Sequence, residues 1–326
     1  MRLINAVQTA GMAEADFLAL RKNTIGGTDI SAIAGLSPWM DPLKLWLLKR
    51  GMIEPDPENK AMRWGKVHEP IILAEYAKRM NVSIVSSMWM RHPDHDWVSC
   101  QADGIVMQTV DGELVPVYGL ECKTSSGFSR SQWGEEGTDE IPRAYLLQCQ
   151  WDMEIFDAPY WDVAVLIGGN EDRYYRVNRN QNLINTLLEL GAQFYDKVQR
   201  GIEPDVDASR TWKEYLASKY PRHNEEMIEA GEKLNLLGAQ LIAKDTLLSE
   251  TEAEVDRLKN EIKAEMKDAG KVIGKHWSCT WRTPKDKETV DYKAVIAEAK
   301  VPADLIKKHT KVSPGTRTFR FSAEGD

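Results

Sequence analysis

Cysteine is scarce in this chain: Cys100, Cys122, Cys149 and Cys279 are its four, and no two stand as Cys-x-x-Cys. That scatter argues against a zinc ribbon or a disulfide framework, and the cytoplasm is the simplest compartment for it. Long apolar runs are missing too; a typical one, "VAVLI", covers only 163–167. The N-terminus lacks a basic segment followed by an apolar stretch. Neither a signal peptide nor a membrane span is therefore expected. Positive charge is also in deficit, with 42 Lys/Arg against 50 Asp/Glu and a net charge of −8. A general nucleic-acid binder usually shows the opposite balance.

The charge is unevenly placed. From Lys271 onward there are 12 Lys/Arg and 7 Asp/Glu, a local excess of +5 that leaves −13 on the preceding 270 residues. An acidic body with a basic tail can still grip a phosphate chain locally. Otherwise the composition, 42% hydrophobic and 28% charged, is that of a soluble globular protein. A chain of 326 residues holds one large domain plus an appendage, or two domains.

Periodicity divides the chain. Up to about Arg50 it reads as helical turns around a Gly-rich loop, with Leu43, Trp46, Leu47 and Arg50 at helical spacing and Gly51 as C-cap. A second helix is expected from near Val67, with Ile71, Ile72, Glu75, Tyr76 and Met80 on one stripe. Three strands follow, "VSIVSSMWMRHPD", "WVSCQADGIVMQTV" and "VPVYGLECKTS", then a helix over "EIPRAYLLQCQWDMEIF". That helix carries Tyr145, Gln148, Trp151 and Asp152 along one face. Two closing strands and a helix ending at Gly201 complete the order α–α–β–β–β–α–β–β–α, an α/β (α+β) core with a mixed sheet flanked by helices.

This core is assigned to residues 1–207. Residues 208–270 form a helical segment, in which Met227, Leu234, Leu241, Leu248, Val255 and Ile262 recur every seven residues. Lys244 and Thr251 interrupt the seam, so a straight rod and a hairpin near "AKDTLLSE" both remain open. Residues 271–326 read as a small basic α/β module with strands "HWSCTWRTP" and "GTRTFRFS" around the helix "DYKAVIAEAK". The heptads suit self-association or recruitment of a partner. The basic module reads equally as a packed strand pair and as a DNA contact.

One stretch poses a chemical question. In "GLECKTSS" the charged Glu121 and Lys123 stand two apart on an otherwise apolar strand, so they share a face. Burying both in a core is costly, which leaves solvent or a site. Asp103, eighteen residues earlier, is expected at a strand end before Gly104, which permits a sharp turn. A hairpin through "TVDGE" would bring Asp103 beside Glu121 and Lys123. Two carboxylates and a backbone carbonyl suit Mg²⁺, and a lysine beside them can orient or deprotonate water and stabilise developing negative charge. The alternative is an ordinary exposed Glu/Lys pair. "RHPDHDW" offers His92, Asp94, His95 and Asp96, but its Pro and Asp are equally what a strand-connecting turn requires.

"QADG" followed by "LECK" resembles the Asp…Glu-x-Lys pattern of the PD-(D/E)xK nucleases. "RKNTIGGTDISAIAGLSPWMDPLKLW", "RWGKVHEP" and "AYLLQCQWDM" resemble, in order, the other motifs of the YqaJ-type viral recombinases, the lambda-type alkaline exonucleases. The resemblance spans roughly residues 15–205. It implies a restriction-endonuclease-like core in which Asp103, Glu121 and the Cys122 carbonyl bind two Mg²⁺ ions, with Mn²⁺ able to substitute. Lys123 would position the attacking water, and Glu69 would complete the site.

The resemblance further implies a pocket for the 5′-terminal phosphate of DNA, built from Arg21, Thr28, Gln101, Arg130 and Gln148. Gly26 and Gly27 would leave backbone amides free, and Thr28 would cap a helix whose N-terminus attracts an anion. Gln101 stands where relatives often carry a small hydroxyl residue. The activity implied is 5′-to-3′ digestion of linear double-stranded DNA, leaving 3′ overhangs for a single-strand annealing protein. A homo-oligomeric ring, a trimer by preference, and no membrane association go with it. For a phage-encoded protein the compartment is the host cytoplasm. The competing reading is a non-catalytic module that binds DNA ends within a recombination assembly.

Overall fold

The computed structural model describes residues 1–313 and 315–322. Contacts divide the chain into two compact units, Met1–Tyr215 and Leu216–Asp326. The first reaches past residue 207 because Trp212 and Tyr215 join its apolar core.

The first unit opens with β1 (Val7–Gln8), α1 (Glu14–Arg21), α2 (Gly27–Ile33), α3 (Pro42–Lys49) and α4 (Lys60–Met80). Next come β2 (Ser83–Arg91), β3 (Ser99–Val110), β4 (Glu113–Ser125), α5 (Arg143–Phe156), β5 (Tyr160–Ile167), β6 (Glu171–Asn178) and α6 (Gln181–Arg200), and α7 (Arg210–Lys219) begins in this unit and continues past Tyr215. The six strands form one sheet in sequence order, antiparallel except where β4 runs parallel to β5. That parallel step requires a crossover, and α5 supplies it. The mixed sheet flanked by helices expected from the sequence is therefore present.

Period-two alternation fixes what each face buries. On one face Ile72, Leu73 and Tyr76 of α4 meet Val106, Tyr118, Leu120 and Ala164. On the other, side chains of α2, α3, α5 and α6 such as Ile30, Trp46, Trp151 and Phe194 meet Cys100, Ile105, Trp161 and Val163. Since Leu120 belongs to the α4 face, Glu121 and Lys123 turn toward α5. The β3–β4 link is a two-residue turn with Asp111 at φ 52° and Gly112 at φ 86°. Left-handed conformations at both positions match the twist of the flanking strands.

Several expectations need correcting. Asp103 and Gly104 lie inside β3, not at its end, and Gly104 makes no turn. A Cβ there would sit 2.9 Å from both Leu73 Cδ2 and Ile84 Cγ2, so glycine is needed for the close approach of α4. The second helix begins at Lys60 rather than near Val67, because Asn59 caps it by accepting from the Met62 N–H at 3.0 Å. Its buried stripe runs through Leu73 and leaves Ile71 exposed.

In the second unit, α8 (Glu232–Met266) is one uninterrupted helix of 35 residues, so the heptads form no hairpin. Leu234, Leu248, Val255 and Ile262 are exposed along it. β7 (Lys271–Ile273) pairs with β8 (Ser278–Thr280), followed by α9 (Tyr292–Glu298) and α10 (Ala303–His309). The expected strand over 315–322 does not form; those residues enter no sheet. Among the described residues no helix is long and apolar enough to cross a membrane.

Gly119 tests this packing. A Cβ there would fall 2.1 Å from Trp161 Cη2, and that ring is fully buried. Gly119→Ala must displace the indole and is expected to lower unfolding free energy by roughly 1–3 kcal/mol, read as the shift in denaturant midpoint. An unshifted midpoint would contradict the ring position.

Candidate active site

The β3–β4 register pairs Gly104 with Leu120, which sets Asp103 next to Glu121 and its neighbours. Asp103 Oδ2 accepts the Cys122 N–H at 2.8 Å. Lys123 Nζ donates to Glu121 Oε1, as the shared face requires. From α5, Gln148 Nε2 donates to the same oxygen at 2.7 Å, and Gln148 Oε1 accepts from Lys123 Nζ at 3.3 Å. The Tyr145 ring lies 4.7 Å from Lys123 Nζ and holds its cation from the side. Glu121 is 2% exposed, so this is a buried cluster and not surface decoration.

Its electrostatics are congested. Burial, then the Glu121 charge, push the Asp103 carboxyl well above the usual range, Lys123 pulls it back, and Glu69 adds to the rise. Glu69 is likewise raised, by burial and by Glu121. Lys123 loses stability as a cation through burial, but Glu121 and Asp103 outweigh this and raise its pKa. It is therefore an ammonium at neutral pH. Glu121 Oε2 is buried without a hydrogen-bond partner, a position natural proteins rarely tolerate unless something fills it.

A divalent cation fits that gap. Asp103, Glu121 and the Cys122 carbonyl are hard oxygen donors, and positive charge among them relieves the repulsion between carboxylates. Among the described residues no three His, Cys, Asp or Glu side chains are already gathered as metal ligands. Two carboxylates with a main-chain oxygen is the donor set the sequence implied.

The same cluster forms one wall of a cavity of about 170 Å³, whose other walls include Arg21, Gly26, Gly27, Thr28, Gln101 and Asp152. Arg21 Nη2 donates to Thr28 Oγ1 at 3.3 Å. Gln101 bonds Thr9 Oγ1 at 2.9 Å through its amide nitrogen. Four of the five residues expected to hold phosphate, Arg21, Thr28, Gln101 and Gln148, thus meet here. Arg130 does not line this cavity; its guanidinium pairs with Glu171 Oε1 at 3.0 Å and is mostly exposed. The carboxylate on β6 captures it, which the local sequence could not reveal. Glu69 lies outside the cavity lining, although its charge is felt by Asp103.

The glycine loop works differently from expectation. Gly26, not Thr28, is the N-cap of α2, and its N–H is not free: it donates to Asp29 Oδ2 at 2.9 Å. Asp29 in turn pairs with Lys49 Nζ at 2.7 Å. Burial would raise the Asp29 carboxyl, but Lys49 and Arg21 overcome it and hold it below the usual range. The His92–Asp96 segment is a turn, with His92 Nδ1 accepting the Asp94 N–H at 3.0 Å. Asp152 was not anticipated as a site residue. It follows Gln148 by one helical turn, and that i,i+4 spacing was the available signal.

Fold and site together define an α/β protein whose acidic, lysine-bearing cluster forms one wall of a small polar cavity. The YqaJ-like viral recombinase domain matches residues 16–159. The uncharacterized protein YqaJ of Bacillus subtilis is 30% identical over 307 residues, covering 92% of each chain. The chain belongs to the YqaJ-like viral recombinase family. An alkaline exonuclease from Laribacter hongkongensis shows 15% identity over 64% of this chain and 98% of its own, with a TM-score of 0.46. A phage-related exonuclease from Haemophilus somnus shows 13% identity over 59% and 90%, with a TM-score of 0.39. Likenesses this remote say nothing about substrate.

The Asp29–Lys49 pair gives a pH-dependent prediction. Lys49→Ala strips a buried carboxylate of its ammonium, leaving it the Gly26 N–H and the Arg21 charge, and is expected to cost up to about 3–5 kcal/mol near pH 7. Because the Asp29 pKa is depressed on folding, its contribution is present above the unfolded value near 3.9 and fades as pH falls through the folded one. The deficit of the variant, followed by denaturant titration, should therefore shrink below pH 4; a deficit independent of pH would refute the assignment.

Proposed function

We propose that this chain is a Mg²⁺-dependent nuclease, and specifically a 5′-to-3′ exonuclease that digests linear double-stranded DNA and leaves 3′ single-stranded overhangs for annealing-type recombination. The observation that carries this reading is the buried Asp103–Glu121–Lys123 cluster, with one Glu121 oxygen left unsatisfied. Membership in a viral recombinase family agrees with it.

Asp103, Glu121 and the Cys122 carbonyl would hold the cations, with Glu69 as outer support. Bound there, divalent cations supply Lewis-acid stabilisation for the attacking and leaving oxygens at phosphorus. Lys123 acts as an ammonium: it orients the attacking water and neutralises charge that builds on the phosphoryl oxygens. Gln148 keeps the Lys123–Glu121 geometry from two directions, and Tyr145 keeps the ammonium from swinging away. Arg21 and Thr28 bind the 5′-terminal phosphate in the adjoining cavity. Anchoring the end there selects the nearby phosphodiester and gives the reaction its direction. A homo-oligomeric ring and transfer of the overhang to an annealing protein complete the proposal.

Linear plasmid should be degraded with Mg²⁺ and spared without it, while closed circular plasmid survives both; cleavage of the circle at a comparable rate would remove the end requirement. Lys123→Ala is expected to lower the rate by at least about 10²-fold while duplex binding in a mobility-shift assay persists. Cation binding has a readout apart from catalysis. Mg²⁺ at 100 times its Kd should stabilise the wild type by about 2.7 kcal/mol in thermal unfolding, and Glu121→Ala should erase that gain.

A further inference from the structure

The proposed mechanism leaves one buried ionisable group unused. Asp152 on α5 is 1% exposed and lines the cavity shared by Arg21, Gly27 and Thr28. Neither of its oxygens has a hydrogen-bond partner. The Cys100 thiol, a weak donor, is beside it and itself stays protonated because burial raises its pKa. The carboxyl presses on the glycine loop: a Cβ on Gly27 would be 2.6 Å from Asp152 Oδ1 and 2.7 Å from Gln148 Cγ. Glycine at this position is thus what lets the carboxyl reach the cavity.

An unpaired ionised carboxylate in such a place is costly, and the group takes up a proton instead. Its burial without a partner drives it that way. A neutral carboxyl carries one O–H donor. The cavity then offers a guanidinium from Arg21, a hydroxyl from Thr28 and this O–H. Such a donor set matches a ligand whose oxygens only accept, and a terminal phosphate monoester is one.

We propose that Asp152 is a specificity-determining residue of this cavity, whose carboxylic acid O–H donates a hydrogen bond to a non-bridging oxygen of a 5′-terminal phosphate held by Arg21 and Thr28. The inference rests on the phosphate-binding half of the proposed function and adds a further group, beside Arg21 and Thr28, that distinguishes a phosphorylated end from a hydroxyl end.

The test uses the full chain and a labelled blunt duplex bearing either a 5′-phosphate or a 5′-hydroxyl, bound in EDTA and followed by fluorescence anisotropy. The wild type should prefer the phosphorylated duplex. Asp152→Ala should reduce that preference about tenfold, the size of one hydrogen bond to a charged group. Asp152→Asn, which keeps an N–H donor in place, should retain most of it. Gly27→Ala, whose methyl would displace the carboxyl, should reduce it as Asp152→Ala does, and decides the matter if that variant does not fold. An equal preference in wild type and Asp152→Ala, or a loss in Asp152→Asn as large as in Asp152→Ala, overturns the proposal. Digestion of the same duplexes with Mg²⁺ separates the two readings. A wild type that cleaves neither duplex but keeps an Asp152-dependent phosphate preference refutes the nuclease and upholds this assignment. Cleavage of both with an Asp152-independent preference refutes this assignment alone.

Discussion

The burial of the Glu121 carboxylate is the constraint from which the rest of the site follows. A charge that is 2% exposed must be compensated, and Lys123 and Gln148 between them satisfy only Oε1. The other oxygen is left open beside Asp103, whose own carboxyl is disfavoured as an anion. Asp103, Glu121 and Glu69 outnumber the one ammonium that acts on them, so the cleft is poised to take up positive charge. On the proposed function, that excess would let an acidic chain engage a polyanion, with the attraction supplied locally by cations and Arg21 rather than by net charge.

The fold delivers this arrangement through two kinds of connection. A tight left-handed turn at Asp111 and Gly112 sets the β3–β4 register and brings Asp103 against Cys122. The β4–α5–β5 crossover then lays α5 across the face that carries Glu121, so that one helix supplies Gln148, Tyr145 and Asp152 at successive turns. Gly104 and Gly119 serve close packing on either side of the site, the first under Leu73 and the second under Trp161. Rigid strands on both sides give the carboxylates little freedom to separate.

Much of this was legible in the sequence because it is local. Alternation placed Glu121 and Lys123 on one face, and "TVDGE" announced the hairpin that joins them to Asp103. The apolar periodicity of 143–156 gave α5 and, with it, Gln148. What was not legible depends on distant partners. The capture of Arg130 by Glu171, the capping of α2 by Gly26 with Asp29, and the pairing of Asp29 with Lys49 all join residues whose proximity only tertiary packing decides. The same holds for Asp152, which reads as one more polar position on an amphipathic helix until the glycine loop closes over it. In the second unit a broken heptad left a straight rod and a hairpin both open, and helix propensity carried α8 through Lys244 and Thr251 as a single helix.

Direct sight of the cation is the most demanding measurement. Crystals soaked in Mn²⁺ and measured at its absorption edge should show an anomalous peak bounded by Asp103, Glu121 and the Cys122 carbonyl, with Glu121 Oε2 turned toward it. A map without density there at saturating Mn²⁺, with Glu121 bonded as before to Lys123 and Gln148 alone, would contradict the account at its base.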